Sequence, residues 1–334
     1  MVKNQAPCVG IDDGRACVKV YGGKGKQFKI RTSVKAGLHA GSTGLGGAGI
    51  ESGAYEADKL KYTVGDRVEG EDTRFEDFDG SAINRVAIHH ALIRAGFAGQ
   101  QIKIATGLPV NAYYSNGSIN DEYINKKRSL IAQPVSSLTE GLECAKIISN
   151  VVCSEALSAW LDDVLNEDGS IKKNANMEHP CGVVDFGGRT TDTLWINPPE
   201  TINHARSGSE SIGVLDLFDL ISIGIRRKFD VSDISRNALE VAASTGIYRF
   251  YGEDKDVKDV VDEAADEICN RIDREIQRRF GNAAELDRIL FVGGGAAALP
   301  QIANRYKNAV RVEDPEFANA RGMYKFLKHC ELGK

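Results

Sequence analysis

A chain of 334 residues with a formal net charge of −5 is longer than one hydrophobic core ordinarily organises, so two domains are expected. The negative balance excludes a broad nucleic-acid-binding or anionic-membrane surface and leaves room only for a local basic patch. The opening Met1-Val2-Lys3-Asn4-Gln5 lacks an apolar signal stretch, no run approaches bilayer length, and the seven cysteines have no paired Cys-x-x-Cys spacing, so a cytoplasmic protein with reduced, mostly buried thiols is expected.

Apolar runs at Pro7 to Ile11, Ala16 to Tyr21 and Gln27 to Arg31 predict a three-stranded meander. Its first turn reads Ile11-Asp12-Asp13-Gly14-Arg15-Ala16, with Lys19 seven residues past Asp12. From residue 36 to 53 glycine dominates, which predicts a surface loop without a core of its own. Gly44-x-Gly46-x-x-Gly49 matches a dinucleotide-binding pattern there, but neither a convincing strand nor an amphipathic helix flanks it. Gly80 to Gly96 reads as a helix with Ile83, Ala87, Ala91 and Ala95 on one stripe. A strand follows from Ile102 to Thr106. Glu143 to Ile148 reads as another strand, leading through Asn150 to Cys153 into a helix over Ser154 to Leu165, with Ser154 as cap and Glu155 in the first turn.

The polar stretch Asn166 to Pro180 marks a domain boundary, after which the strand-glycine-strand theme returns as Val183-Val184-Asp185-Phe186-Gly187-Gly188-Arg189-Thr190-Thr191-Asp192. A long helix is predicted over Val257 to Arg279, acidic at its start and basic at its end. The strand Ile289 to Val292 then runs into Gly293-Gly294-Gly295, and a last helix, Asn319 to Lys328, crosses back to the first domain.

The recurring turns read as two phosphate-binding hairpins. Glycine lets backbone N–H groups approach an anion, and an aspartate at a strand end can hold a metal ion through water. Asp12 and Asp185 are therefore the candidate Mg²⁺ residues, with Asp13 and Asp192 as adjacent alternatives; each could equally be a turn aspartate bonded to its own backbone. Asp13, Gly14, Arg15 and Ala16 in the first turn, and Gly187, Gly188, Arg189 and Thr190 in the second, are the candidate phosphate contacts. Lys19 can reach a phosphate as a point charge. Arg15 is unusually large for such a turn and either adds a phosphate contact or points outward. Glu155 is the candidate for orienting a hydrolytic water, although a glutamate at a helix start also serves the dipole. The triple glycine offers a flat wall for a base or ribose. No P-loop segment is present. His89-His90 and His179-Pro180-Cys181 read as structural, and Lys126-Lys127-Arg128 and Arg226-Arg227-Lys228 read as solvated helix faces.

In order, these motifs resemble the actin, hexokinase and DnaK superfamily, and more closely the ParM/StbA plasmid-segregation actins. The likeness also takes in Gly107-Leu108-Pro109-Val110, Ser154-Glu155-Ala156-Leu157, Ser211-Ile212-Gly213-Val214 and Asn319-Ala320-Arg321-Gly322. The resemblance implies an α/β actin-like fold of two ribonuclease-H-like domains flanking a nucleotide cleft. Residues 1–170 with 318–334 would form the first domain, its small subdomain spanning about 29–79, and 176–317 the second. It implies ATP or GTP with Mg²⁺ near Asp12 and Asp185, with Glu155, Asp185 and Asp12 in catalysis, Lys19 on phosphate, and Gly208 and Gly213 bordering the nucleoside beside Gly293, Gly294 and Gly295. It further implies nucleotide hydrolysis, head-to-tail filaments, and a centromere-binding adaptor of the ParR kind on plasmid DNA, without direct nucleic-acid or membrane contact. Arg15 stands where the family commonly places Ser or Thr. A sugar or acetate kinase of the same superfamily and a slowly hydrolysing structural relative are the alternatives.

Overall fold

The computed structural model describes residues 5–39, 52–66 and 68–333. The Gly44-x-Gly46-x-x-Gly49 segment lies outside them, as does most of the glycine-rich stretch. In chain order the first half comprises β1 (Cys8–Asp13), β2 (Cys17–Tyr21), β3 (Gln27–Arg31), β4 (Val34–Ala36), β5 (Ser52–Ala57), β6 (Leu60–Gly65), α1 (Ala82–Arg94), β7 (Gln101–Leu108), α2 (Val110–Tyr113), β8 (Tyr114–Ser115), β9 (Ser118–Ile119), α3 (Asp121–Ile131), β10 (Val135–Ser137), β11 (Lys146–Ser154) and α4 (Glu155–Val164). The second half comprises β12 (Cys181–Phe186), β13 (Thr191–Asn197), β14 (Thr201–Ile202), β15 (Gly208–Glu210), α5 (Val214–Phe229), α6 (Arg236–Thr245), β16 (Ile247–Phe250), β17 (Glu253–Asp256), α7 (Lys258–Phe280), β18 (Arg288–Val292), α8 (Gly293–Ala298), β19 (Ala309–Arg311) and α9 (Ala318–Leu332).

The two halves repeat one plan. In the first sheet, ordered β11-β7-β1-β2-β3, β1 pairs antiparallel with β2 and parallel with β7. In the second, ordered β14-β13-β12-β18-β19, β12 pairs antiparallel with β13 and parallel with β18. All six residues of β1 and all six of β12 are buried, as strands covered on both faces must be. A further sheet, β10-β5-β6-β4, stands beside the first.

Between the two main sheets lie α4 and α9. Ala156, Ala159 and Trp160 of α4 join Val183, Leu194, Leu290 and Ala318 in one apolar cluster. Helix α9 rests on β1 so closely that a Cβ on Gly10 would stand 1.9 Å from the Ala320 carbonyl oxygen. Helix α1 is capped by Ser81, whose side chain accepts the Asn84 N–H, and it buries Ile83, Val86, Ala87 and Leu92 with Val9, Val18 and Val20. The long α7 closes the second half through Ile268, Ile272 and Ile276. The strand expected over 143–148 lies later, as β11 at Lys146–Ser154, with a register shift between Ile147 and Ser149, a bulge that leaves Ile148 half exposed. Ser154 holds the cap position of α4 but makes no side-chain cap bond. No helix among the described residues is long and apolar enough to cross a membrane.

Candidate functional site

The hairpins β1–β2 and β12–β13 share a register. Asp12 faces Lys19 across the first, and Asp185 faces Asp192 across the second. Their tips meet: a Cβ on Gly188 would lie 2.6 Å from the Ala16 Cβ, so glycine is required for the approach. The second tip is held from behind by α5, whose Val214 and Leu215 N–H groups donate to the Gly187 and Gly188 carbonyls at 3.1 and 3.0 Å. The turn after β18 brings Gly293, at φ +87°, so near that its Cβ would stand 2.5 Å from Asp185 Oδ1.

A cavity of about 340 Å³ lies between the hairpins. Asp12, Asp13, Gly14, Arg15, Lys19, Glu155, Asp185, Gly187, Gly188, Arg189, Thr190 and Gly293 line it, together with Asp192 and Asn319. Ala16 and Gly294 line a second cavity of about 410 Å³ that shares Lys19 and Gly188 with the first. Three glycines expected at the nucleoside line neither cavity. Gly208 packs beneath the Arg279 guanidinium, Gly213 beneath the Gly188 carbonyl, and Gly295 against the Phe186 ring, each too close for a Cβ.

The electrostatics of the cavity follow from burial among few compensating charges. Lys19 Nζ stands 2.9 Å from Asp12 Oδ2; burial alone would lower the lysine pKa, but the Asp12 carboxylate outweighs it and the net shift is upward. Asp185 is pushed up to about 6, first by burial and then by Asp12, against the Asn319 hydrogen bond at 2.6 Å and the charge of Lys19. Asp192 is pushed up to about 7 by burial and by Asp185, although the Ser209 hydroxyl and the Val110 N–H both donate to it. Glu155 is raised well above the usual carboxylate range by burial and then by Asp12, Asp192 and Asp185, with Lys127 opposing.

Glu155, Asp185 and Asp192 each offer an oxygen within 4.8 Å of the others. Such a set suits a hard divalent cation that keeps waters and takes phosphate oxygens as further ligands. Asp192, the alternative to Asp12, stands in this carboxylate group with Asp185, and Asp12 spends an oxygen on Lys19.

Arg15 lines the cavity and is held by the neighbouring segment. Its guanidinium donates to the carbonyls of Thr73 and Phe75, lies over the Phe78 ring and stands 3.8 Å from Asp79. The expectation of a solvated Lys126-Lys127-Arg128 face fails at its centre, because Lys127 is 1% exposed. Ile124, Lys127 and Ile131 are the buried residues of α3, a 3.6-residue stripe legible in the sequence. Arg236 and Glu240 of α6 line the second cavity, and no motif marks them.

Residues 8–165 match the family model for the N-terminal part of plasmid segregation protein ParM, and residues 183–303 that for the C-terminal part of the archaeal actin homologue MreB-like. The two halves thus match models of two kinds of actin homologue, ParM and MreB-like. Among solved structures, this actin-like chain is similar to the ParM of a 15-stranded filament from Clostridium botulinum, with 17% identity, 96% of this chain and 99% of that chain covered, and a TM-score of 0.78. It is similar also to Ta0583, an archaeal actin homologue in complex with ADP, at 20% identity, with 96% and 99% covered and a TM-score of 0.76. The actin-like protein Alp7A follows at 17% identity, with 98% and 96% covered and a TM-score of 0.73. These likenesses show the actin-like fold. No curated protein sequence matches the chain.

Proposed function

We propose that this actin-like chain is a cytoplasmic nucleoside-triphosphatase that binds ATP or GTP with Mg²⁺ between its two halves and assembles head to tail into filaments that segregate plasmid DNA. The observation that carries this reading is the meeting of two equivalent hairpins around one carboxylate-rich cavity, with a second cavity of suitable size beyond Lys19. The hairpin tips offer backbone N–H groups to phosphate oxygens, and Lys19 adds a fixed positive charge. Asp185 and Asp192 would hold Mg²⁺, which supplies charge neutralisation on the phosphates. Glu155, at the cavity wall, orients water and accepts its proton. The second cavity, with Gly294 open and Arg236 and Glu240 opposite, takes the nucleoside.

In this reading residues 1–170 with 318–334 form one domain and 176–317 the other, and the bound triphosphate holds them closed. A contact between unlike faces of successive copies does not close on itself and makes an open polymer. The partners are further copies of the chain and a ParR-like adaptor that links filament ends to a plasmid centromere. Light scattering and pelleting with Mg²⁺ and ATP, GTP, ADP or no nucleotide test the proposal. Triphosphate-dependent polymer that decays as phosphate is released is expected. A protein that binds nucleotide yet stays monomeric over a wide concentration range would overturn it.

A further inference from the structure

Lys127 sits in the middle of a basic triplet whose other members, Lys126 and Arg128, are exposed. Its own ammonium is buried 2.8 Å from Asp13 Oδ2 and 3.6 Å from Asp79 Oδ1, and it donates to the Gly107 carbonyl. Asp13 is equally enclosed: Asn84 Nδ2 donates to it at 3.1 Å and the Gly107 N–H at 3.3 Å. The ion pair therefore takes hold of both backbone groups of Gly107, the N–H through Asp13 and the carbonyl through Lys127.

Gly107 is the floor on which Glu155 rests. It pairs with Cys153 across β7 and β11, and a Cβ placed on it would lie 2.6 Å from Glu155 Cγ and 2.8 Å from Glu155 Oε1. Burying an ammonium and a carboxylate is costly, and apolar residues of similar volume commonly hold a fold as well or better. An ion pair kept at that site, gripping one glycine under one glutamate, has a geometric rather than a packing rationale.

We propose that Lys127 is a positioning residue for the nucleotide hydrolysis assigned above: through Asp13 and both backbone groups of Gly107 it fixes where the Glu155 carboxylate stands. The inference rests on the nucleotidase reading. Misplacement of a catalytic group by about 1 Å can cost on the order of 100-fold in rate, so the effect belongs in kcat and not in nucleotide affinity.

The test uses the full chain and three variants. Lys127→Gln removes the cation, and Asp13→Asn with Lys127→Gln removes both charges so that no unpaired ion is left buried. Gly107→Ala crowds Glu155, and the Met323 methyl beside it, from the other side without removing Lys127. Phosphate release with saturating Mg²⁺ and the triphosphate that the wild type turns over is measured beside ADP affinity. Lys127→Gln and Gly107→Ala are expected to bind ADP within about threefold of wild type, and all three variants to lose on the order of 10- to 100-fold in kcat. A double variant that folds and turns over at the wild-type rate would show the pair to be structural. Loss of affinity with kcat unchanged would overturn the inference as well, as would failure of both Lys127 variants to fold. A wild type that binds nucleotide and releases no phosphate would instead overturn the nucleotidase reading and this inference with it.

Discussion

Asp12 and Asp185 hold the same register position in their hairpins, yet Asp12 looks across at a lysine and Asp185 at a second carboxylate. Like charges directly opposite on antiparallel strands repel, and this pair is buried. The sign of the consequence is fixed by the raised values: no penalty exists below the unfolded-state pKa near 3.8, it builds as pH rises towards the folded value of about 7 for Asp192, and it is complete above that. Asp192→Asn, which keeps the oxygen that accepts from Val110 and Ser209, should therefore raise the stability of metal-free protein at pH 8 by on the order of 3 kcal/mol and have no effect near pH 4. Thermal melts in chelator at both pH values check this; equal melting temperatures at pH 8 would mean that the pair is not ionised there. Glu155→Ala should keep nucleotide binding and lower turnover by about 100-fold or more, as loss of a general base does, measured by phosphate release against titration calorimetry. The seven-residue spacing that sets Lys19 opposite Asp12 and Asp192 opposite Asp185 is readable in the sequence. How each carboxylate is partnered is not, because Asn319 reaches Asp185 from α9 and Ser209 reaches Asp192 from β15.

At the scale of elements, α9 is wedged between β1 and α4 by two glycines. A Cβ at Gly10 would meet the Ala320 carbonyl, and one at Gly322 would lie 1.7 Å from the Ser158 carbonyl oxygen. Gly322→Ala must push α9 off α4, an overpacking expected to cost about 2–3 kcal/mol and visible as a lower urea midpoint at unchanged slope. Because Asn319 at the start of α9 holds Asp185, the same variant should weaken Mg²⁺-dependent nucleotide binding. A normal midpoint would show that the crossing relaxes without cost. Long periodic elements were legible: α7 was expected over 257–279 and spans 258–280. The glycines were not, since one that opens a wall and one that admits a close neighbour are the same letter. Gly294 faces open space, while Gly295 lies on the Phe186 ring.

For the whole molecule, the question is what holds the halves together across the cleft. Arg31 of β3 donates to Glu240 of α6 at 2.7 Å, Arg74 pairs with Asp219 of α5, and Lys29 reaches Glu316 at 2.7 Å. The first pair lines the second cavity, so it closes the compartment assigned to the nucleoside. None of these partners is recognisable in sequence, because each pair joins residues more than a hundred positions apart. The pairs are partly exposed, and such a bridge is worth about 1 kcal/mol or less. That is too little to fix a closed form alone, which suits the triphosphate-held closure proposed above. Reversing Glu240 to Arg sets two guanidinium groups against each other beside Arg236 and should open the cleft. The expected result is a larger radius of gyration in solution scattering and about fivefold weaker nucleotide binding. Combining it with Arg31→Glu restores the attraction with the charges exchanged, so the double variant should recover most of both. If the double variant remains as open and as weak as the single one, the defect lies in the lost contacts of Glu240 with the cavity, and the latch across the cleft is refuted.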